Sequence, residues 1–143
     1  MSADLLRVRI EDAADLEVAS AAMQDAVFRV GDATFEAKPR RFTLIANRFR
    51  WETGRKERIR AALSFDGVLG VKTQRYQGAA KDAVASILAL KFVAAEEPPA
   101  GAVEIMLAGG GGIRLDVEAI DALLADWGEP WSTPRRPDHE RGG

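Results

Sequence analysis

The sequence predicts an α+β domain built on an antiparallel sheet of hairpins. Stretches with apolar residues at every second position recur along the chain, and turns containing Gly, Pro or Asp separate them. One helical pattern lies near each end, and no strand–helix alternation points to a parallel sheet. Because a sheet of eight or nine strands rolls over or closes, we expect a curved half-barrel, a PH-like roll, with both helices packed on it.

The N-terminal residues predict a strand and then a helix. Residues 5–10 alternate as a short strand, and Asp12 can cap the helix that follows. Apolar residues then recur at helical spacing as far as Gln24 or Asp25, where we expect the helix to end.

The middle of the chain predicts hairpins joined by one long strand. Residues 26–37 contain a central Gly-Asp pair, and residues 58–74 contain a central Asp-Gly pair, so each segment is expected to fold as a hairpin. Residues 41–52 form the long strand. Its aromatic residues change parity after Ala46, which predicts a bulge or bend near Asn47.

The C-terminal part predicts a hairpin, a helix and a tail. Residues 102–107 and 113–115 bracket four consecutive glycines, and Asp116 can cap a helix over residues 117–127 that Gly128 ends. Residues 132–143 are polar, charged and rich in Pro and Gly, which is typical of disorder. We therefore expect one domain over residues 1–131 and a disordered tail over 132–143.

The four glycines, Gly109 to Gly112, favour a turn over a phosphate-binding loop. A P-loop needs a Lys and a Ser or Thr after the glycines and then a helix, but Ile113-Arg114-Leu115 follows and predicts a strand. A hairpin turn explains two glycines at most, and the other two leave room for a bulge or for close approach of another backbone or a ligand.

Composition favours a cytoplasmic protein. The 143 residues include no cysteine, which excludes disulfides, thiolate catalysis and cysteine-ligated zinc. The longest strongly apolar run, residues 84–95, contains Lys91 and is shorter than the roughly 20 residues that cross a bilayer. The first residues lack the apolar segment of a signal peptide. We expect no membrane association.

The sequence contains no clear set of catalytic residues, so we expect a protein that is not an enzyme. The single histidine, His139, lies in the expected tail, which disfavours histidine-based triads and metal sites. No serine has the G-x-S-x-G setting, and capping, turns or solvation explain most carboxylates. We expect no catalytic residue, no cofactor and no metal. A small enzyme acting through an acid, a lysine or an arginine remains an alternative.

One strongly basic stretch stands out in a chain whose net charge is −2. Residues 38–60 contain nine cations against two carboxylates, a local charge of +7, and most of these cations are arginines, which suit bidentate contacts with phosphate or carboxylate. The candidate partner-binding residues are Arg40, Arg41, Arg48, Arg50, Trp51, Arg55, Lys56, Arg58 and Arg60.

Two interpretations of this stretch stay open. In the first, acids from elsewhere in the fold balance the cations on a solvated hairpin, and Phe49 and Trp51 lie in the core. In the second, the stretch binds a protein or another anionic partner. RNA or a nucleotide is a further alternative, contacted by Arg48, Arg50 and Trp51. Apolar area around Trp131, or a free sheet edge, would also be compatible with a homodimer.

Four segments carry a family resemblance: RRFTLIANRFRWE, EIMLAGGGGIRLDVEAIDALLADWGEPW, LLRVRIEDAADLEVASAAMQDAV and RIRAALSFDGVLGVKT. Over about residues 5–131 the chain resembles an uncharacterised alphaproteobacterial family of small domains without an assigned function. The resemblance implies a small cytoplasmic bacterial protein whose gene often neighbours one for histidinol dehydrogenase. It implies no catalytic or binding residues, and the working hypothesis is a non-catalytic binding or adaptor module.

Overall fold

A computed structural model describes residues 5–76 and 80–134 and contains an antiparallel sheet of ten strands in that part of the chain. The single helix among these residues is α1, Ala13–Met23. The strands are β1 Arg7–Ile10, β2 Val27–Arg29, β3 Ala33–Glu36, β4 Arg41–Phe49, β5 Glu57–Phe65, β6 Val68–Gln74, β7 Val84–Ala94, β8 Gly101–Leu107, β9 Gly112–Val117 and β10 Ala122–Ser132.

The sheet has two halves that share one core. The first half contains β1, β10, β5, β4, β3 and β2, and the second contains β7, β8, β9 and β6. Strand β2 joins the halves because it pairs with β4 on one side and β7 on the other. The pairing order begins at β1 and ends at β6, so the sheet is not closed into a barrel. The expected α+β class with an antiparallel sheet is confirmed.

The expected N-terminal helix is also confirmed. The Asp12 carboxylate accepts a hydrogen bond of 2.8 Å from the backbone N–H of Asp15, which caps the first turn. The helix buries Leu16, Ala19 and Met23 and packs mainly against β7.

The hairpin predicted at residues 58–74 is wrong. Strand β5 pairs with β4 and β10, whereas β6 pairs with β9, so the chain passes at Asp66-Gly67 from the first half to the second. The chain crosses back between β9 and β10 beside this point. The carbonyl of Asp121 accepts from the N–H of Asp66 at 2.8 Å, and the carbonyl of Gly67 accepts from Glu118 at 3.0 Å. An Asp-Gly turn thus forms a corner, because pairing with distant strands decides where the chain goes.

The hairpin predicted at residues 26–37 is wrong for a similar reason. A 3-10 turn at Val30–Asp32 separates β2 from β3, and both strands pair with β4. Val27 lies opposite Asn47 and Ala33 lies opposite Leu44, so the two strands follow one another along the same side of β4. The hairpin predicted around the glycines is present as β8–β9, and consecutive strands also pair in β3–β4, β4–β5 and β7–β8.

The C-terminal helix predicted over residues 117–127 is wrong, because β10 occupies this segment. Its residues alternate between the faces of the sheet: Ala122 and Leu124 are buried, while Trp127 points outward and is exposed. The same apolar residues fit a helical stripe and a strand, and pairing with β5 and β1 selects the strand. Gly128, expected to end the helix, lies in the irregularity where β10 shifts register.

The glycine run is the turn of the β8–β9 hairpin. Gly109 and Gly110 have φ of 90° and 96°, which glycine adopts without strain. A side chain at Gly111 would place its Cβ 2.8 Å from the carbonyl oxygen of Arg75, so close backbone approach requires a glycine there. Gly112 begins β9 and pairs with both Met106 and Gln74. Gly111, the third glycine, is therefore needed because the turn packs closely against the backbone at the end of β6.

The expected tail lies almost entirely outside the described residues. Ser132 is the last residue of β10, and residues 135–143, including His139, are not among those that the structure describes. The disordered tail stays a prediction.

We expect Gly111→Ala to lower the free energy of unfolding by about 1–3 kcal/mol, because the new Cβ would collide with the backbone of Arg75. Urea denaturation followed by circular dichroism measures this loss. Gly70→Ala is the matched control, since a Cβ at Gly70 meets no atom within 4 Å. Equal stability of the two variants would show that the close approach at Gly111 does not constrain the turn.

Candidate binding surface

The structure distributes the nine cations of the basic stretch over several environments. Arg40 and Arg41 lie at the corner between the two halves of the sheet. Arg40 forms an ion pair of 2.8 Å with Glu118, and Arg41 forms one of 2.7 Å with Asp66. The hydrogen bond and charge of Asp66 raise the pKa of Arg41. Both pairs are exposed and link residues next to the two chain crossings, so these arginines belong to the corner.

Arg48 is fully buried and points into the core. Strand β4 pairs with β5 without a register shift from Phe42 to Phe49, so the bulge predicted near Asn47 is absent and that prediction is wrong. The inward parity of Phe42, Leu44 and Ala46 therefore continues to Arg48, whose side chain is 0% exposed. An arginine in this position requires internal partners for its charge and its donors.

All five N–H donors of Arg48 have acceptors. Asp126 accepts from Nε and Nη2 at 2.7 Å each, and Glu52 accepts from Nη1 at 3.0 Å and from Nη2 at 2.6 Å. The carbonyl of Phe49 accepts the remaining Nη1 hydrogen bond at 3.2 Å. Asp126 also accepts from the backbone N–H of Leu6 at 2.9 Å. The arginine thus joins β4, β10, the 3-10 turn at Trp51–Thr53 and the residues before β1.

The ion pairs keep this buried cluster charged. Burial on its own lowers the pKa of Arg48, but the hydrogen bonds and charges of Asp126 and Glu52 outweigh burial and raise that pKa. Burial on its own likewise raises the pKa of Glu52, and the hydrogen bonds and charge of Arg48 bring it below its ordinary value. Arg48 is therefore part of the structural core, and its side chain is not exposed to solvent.

Arg50 is also held inside the protein, and Trp51 is partly buried. Arg50 is 3% exposed, and its Nη1 donates to Glu57 at 2.9 Å. The indole N–H of Trp51 donates to the carbonyl of Gln24 at 3.2 Å, and its ring meets Phe49 edge to face with 4.6 Å between centroids. These side chains tie the turn after β4 to the end of α1 and to β5.

Arg58 supports the end of α1 from the outer face of the sheet. Its Nη1 donates to the carbonyl of Asn47 at 3.0 Å and to that of Asp25 at 3.4 Å. Burial lowers the pKa of Arg58, and the charge of Asp25 acts in the opposite direction. Just before β5, Arg55 and Lys56 lie exposed in a loop, and the carbonyl of Lys56 accepts from the N–H of Thr133 at 2.9 Å.

The remaining arginine of the stretch, Arg60, lies beside exposed tryptophans. Arg60 pairs in register with Trp127, and Arg58 pairs with Trp131, so all four side chains belong to the outer face of β5 and β10. Trp127 is 44% exposed and Trp131 is 41% exposed. The Arg60 guanidinium lies 5.9 Å from the centroid of the Trp127 ring, within the range of a cation–π contact. We call Arg58, Arg60, Trp127 and Trp131 the Arg–Trp face.

A groove of about 380 Å³ adjoins the Arg–Trp face. One row of paired residues crosses the sheet beneath it: Val27 pairs with Asn47, Asn47 with Arg60, and Arg60 with Trp127. Arg29, Asp32 and Ile45 also line the groove. It therefore combines an aromatic wall, two cations, a carboxylate and an amide.

The basic stretch pointed to only part of this surface. Of the nine candidates, the structure brings Arg58 and Arg60 onto one face with Arg55 and Lys56 beside it, and it places Arg40, Arg41, Arg48, Arg50 and Trp51 elsewhere. Sequence reasoning missed the roles of Trp127 and Arg29. The signal for Trp127 was the two-residue alternation of residues 122–127, which the helical stripe obscured.

Two further observations concern metal ligands and membrane-spanning helices. Among residues 5–76 and 80–134, no group of three or more His, Asp or Glu side chains is arranged to hold a metal ion. No helix in this part of the chain is both long and apolar enough to cross a membrane.

We expect Asp126→Ala to lower the free energy of unfolding by about 3–5 kcal/mol, because Arg48 would stay buried without its main partner. Urea denaturation measures the loss. Asp121→Ala is the control: it removes an exposed partner of Arg9, which is worth less than about 1 kcal/mol. A small loss for Asp126→Ala, no larger than the control's, would contradict the structural role of the Arg48 cluster.

Comparison with known proteins places the chain in a family. Neither a curated protein nor a solved structure matches it. A family model described as "Protein of unknown function (DUF2948)" matches residues 6–139, nearly the whole chain and every described strand. The expectation of a family without an assigned function is thus confirmed, and the chain belongs to this DUF2948 family.

Proposed function

We propose that this protein is a non-catalytic binding module that captures an anionic partner on the Arg–Trp face. The observation that carries the proposal is the side-by-side exposure of Trp127 and Trp131 next to Arg60. Exposing two indoles to water costs apolar burial, and aromatic and arginine side chains are enriched where proteins bind partners.

The charge around the face supports an anionic partner. Arg29 lines the groove, and Arg7 lies opposite Ala125 on the same outer side of β10. Arg55 and Lys56 flank the end of the face near Trp131. Within the described residues, no salt bridge involves any of these four cations or Arg60. Arg29 and Arg60 outnumber Asp32, the carboxylate that lines the groove, and an excess of cations around a concave surface attracts anions.

The buried cluster of ionisable side chains supports a function without catalysis, because its members bond to one another. Arg48, Asp126 and Glu52 bond to one another, and Asp126 is closed off by burial. A catalytic acid or base must instead reach a substrate.

The cellular setting belongs to the same proposal. We place the module in the cytoplasm of alphaproteobacteria, consistent with a chain that contains no cysteine. The sheet would act as a rigid, curved, PH-like support that fixes the positions of the tryptophans. With β10 in place of the C-terminal helix, the PH-like comparison rests on the open antiparallel sheet alone. A homodimer through the exposed tryptophans is a second arrangement that this surface permits.

We expect the double variant Arg29→Glu/Arg60→Glu to leave an immobilised heparin column at lower salt than the wild type, because it reverses the charge of the groove. Lys38→Glu/Lys91→Glu is the matched control, with the same change in net charge at exposed positions outside the face. Circular dichroism checks that both variants fold. An equal shift for the two variants would mean that net charge, and not this face, determines binding, and the proposed site would be abandoned.

A further inference from the structure

We infer that the anionic partner is a single-stranded nucleic acid whose bases stack on Trp127 and Trp131. The inference rests on the proposed function, because it assigns a ligand to the same face. Stacking on exposed aromatic rings, with cations along the backbone, is how sequence-tolerant single-strand binders work.

The two tryptophans are spaced as separate platforms. Trp127 lies opposite Arg60 and Trp131 lies opposite Arg58, two residues apart on β5. Two residues of a strand span about 7 Å, which is too far for the rings to cover one another. Both tryptophans lie on the same face because four positions separate them in the strand, and the irregularity of β10 between them shortens their spacing to two residues of β5. Each ring can therefore receive one base of an unstacked strand.

The sheet next to the indoles presents uncharged side chains. The neighbouring row contains Ala125, Ala62 and Ile45 in register, and the row after it contains Leu123, Ser64 and Thr43. Planar bases lie on the faces of other sheets that read single strands. The groove beside Trp127 adds the amide of Asn47, which can both donate to and accept from the edge of a base.

The cations surround this platform on several sides. Arg29 lies across the groove from Trp127, Arg7 lies beyond Ala125, and the loop with Arg55 and Lys56 lies near Trp131. A strand that crosses from Trp131 to the groove would meet a cation on each side. Arg60, which packs over Trp127, would hold the ring and contact a neighbouring phosphate.

This arrangement favours single strands over two other anionic partners. A duplex keeps its bases paired and stacked internally, so it would use the cations and leave both indoles in water. An acidic peptide would likewise satisfy the cations without a planar group for either ring. Unpaired bases, in contrast, can stack on both exposed indoles, so a single strand would use the two rings as well as the cations.

The test is fluorescence anisotropy with labelled oligouridylate and oligothymidylate of about 12 nucleotides at low salt. We expect the wild type to bind and the affinity to fall as salt rises, because phosphate contacts release counterions. Trp127→Ala and Trp131→Ala should each weaken binding about 5- to 150-fold, whereas Trp127→Phe and Trp131→Phe should retain part of it. Phe35→Ala, which removes an exposed aromatic of β3, is the control and should change nothing.

The remaining outcomes separate this inference from the proposed function. Binding of a duplex as tightly as a single strand, or binding unaffected by both alanine variants, would overturn the stacking model and leave anion capture intact. Binding of poly-glutamate without any oligonucleotide binding would overturn the nucleic-acid assignment alone. If neither probe binds, both proposals fail. If an alanine variant does not fold, the tryptophan fluorescence of the wild type is measured while the oligonucleotide is added. Stacking of bases on the indoles should quench this fluorescence, and an absence of quenching would overturn the inference.

Discussion

The buried cluster of Arg48, Asp126 and Glu52 is the interaction on which the rest of the first half depends. A guanidinium with no exposed surface must have its charge and its five donors satisfied internally. Asp126 and Glu52 do this from β10 and from the turn after β4, and Asp126 also holds the backbone of Leu6. The cluster therefore fixes how β1, β4 and β10 meet at one end of the core.

The same cluster determines which side chains remain for binding. Because Asp126 points inward to Arg48, the next residue of β10, Trp127, points outward beside Arg60. Trp131, four residues further, lies on the same outer face, and the register shift between the two tryptophans places it beside Arg58. Arginines in the centre of the basic stretch thus support the fold, while its last residues join two tryptophans from β10 to form the surface that we propose binds single strands.

Sequence reasoning predicted local features well and distant pairings poorly. The capping residue Asp12 located α1, and the glycine run located a turn, because both signals lie within a few residues of the structure they specify. The hairpin at residues 58–74 and the C-terminal helix failed because strand partners far along the chain decided those segments. Arg48 and Asp126 are 78 residues apart, so nothing local showed that this arginine is buried. The basic stretch indicated a charged surface but could not separate structural arginines from exposed ones.

The most direct test is the NMR spectrum of the three indole N–H groups during titration with oligouridylate. The chain has three tryptophans, and the indole N–H of Trp51 is already bonded to the carbonyl of Gln24, so its signal serves for comparison. The stacking model predicts that the signals of Trp127 and Trp131 shift more than that of Trp51. Unchanged signals from Trp127 and Trp131, or a shift of Trp51 alone, would contradict it.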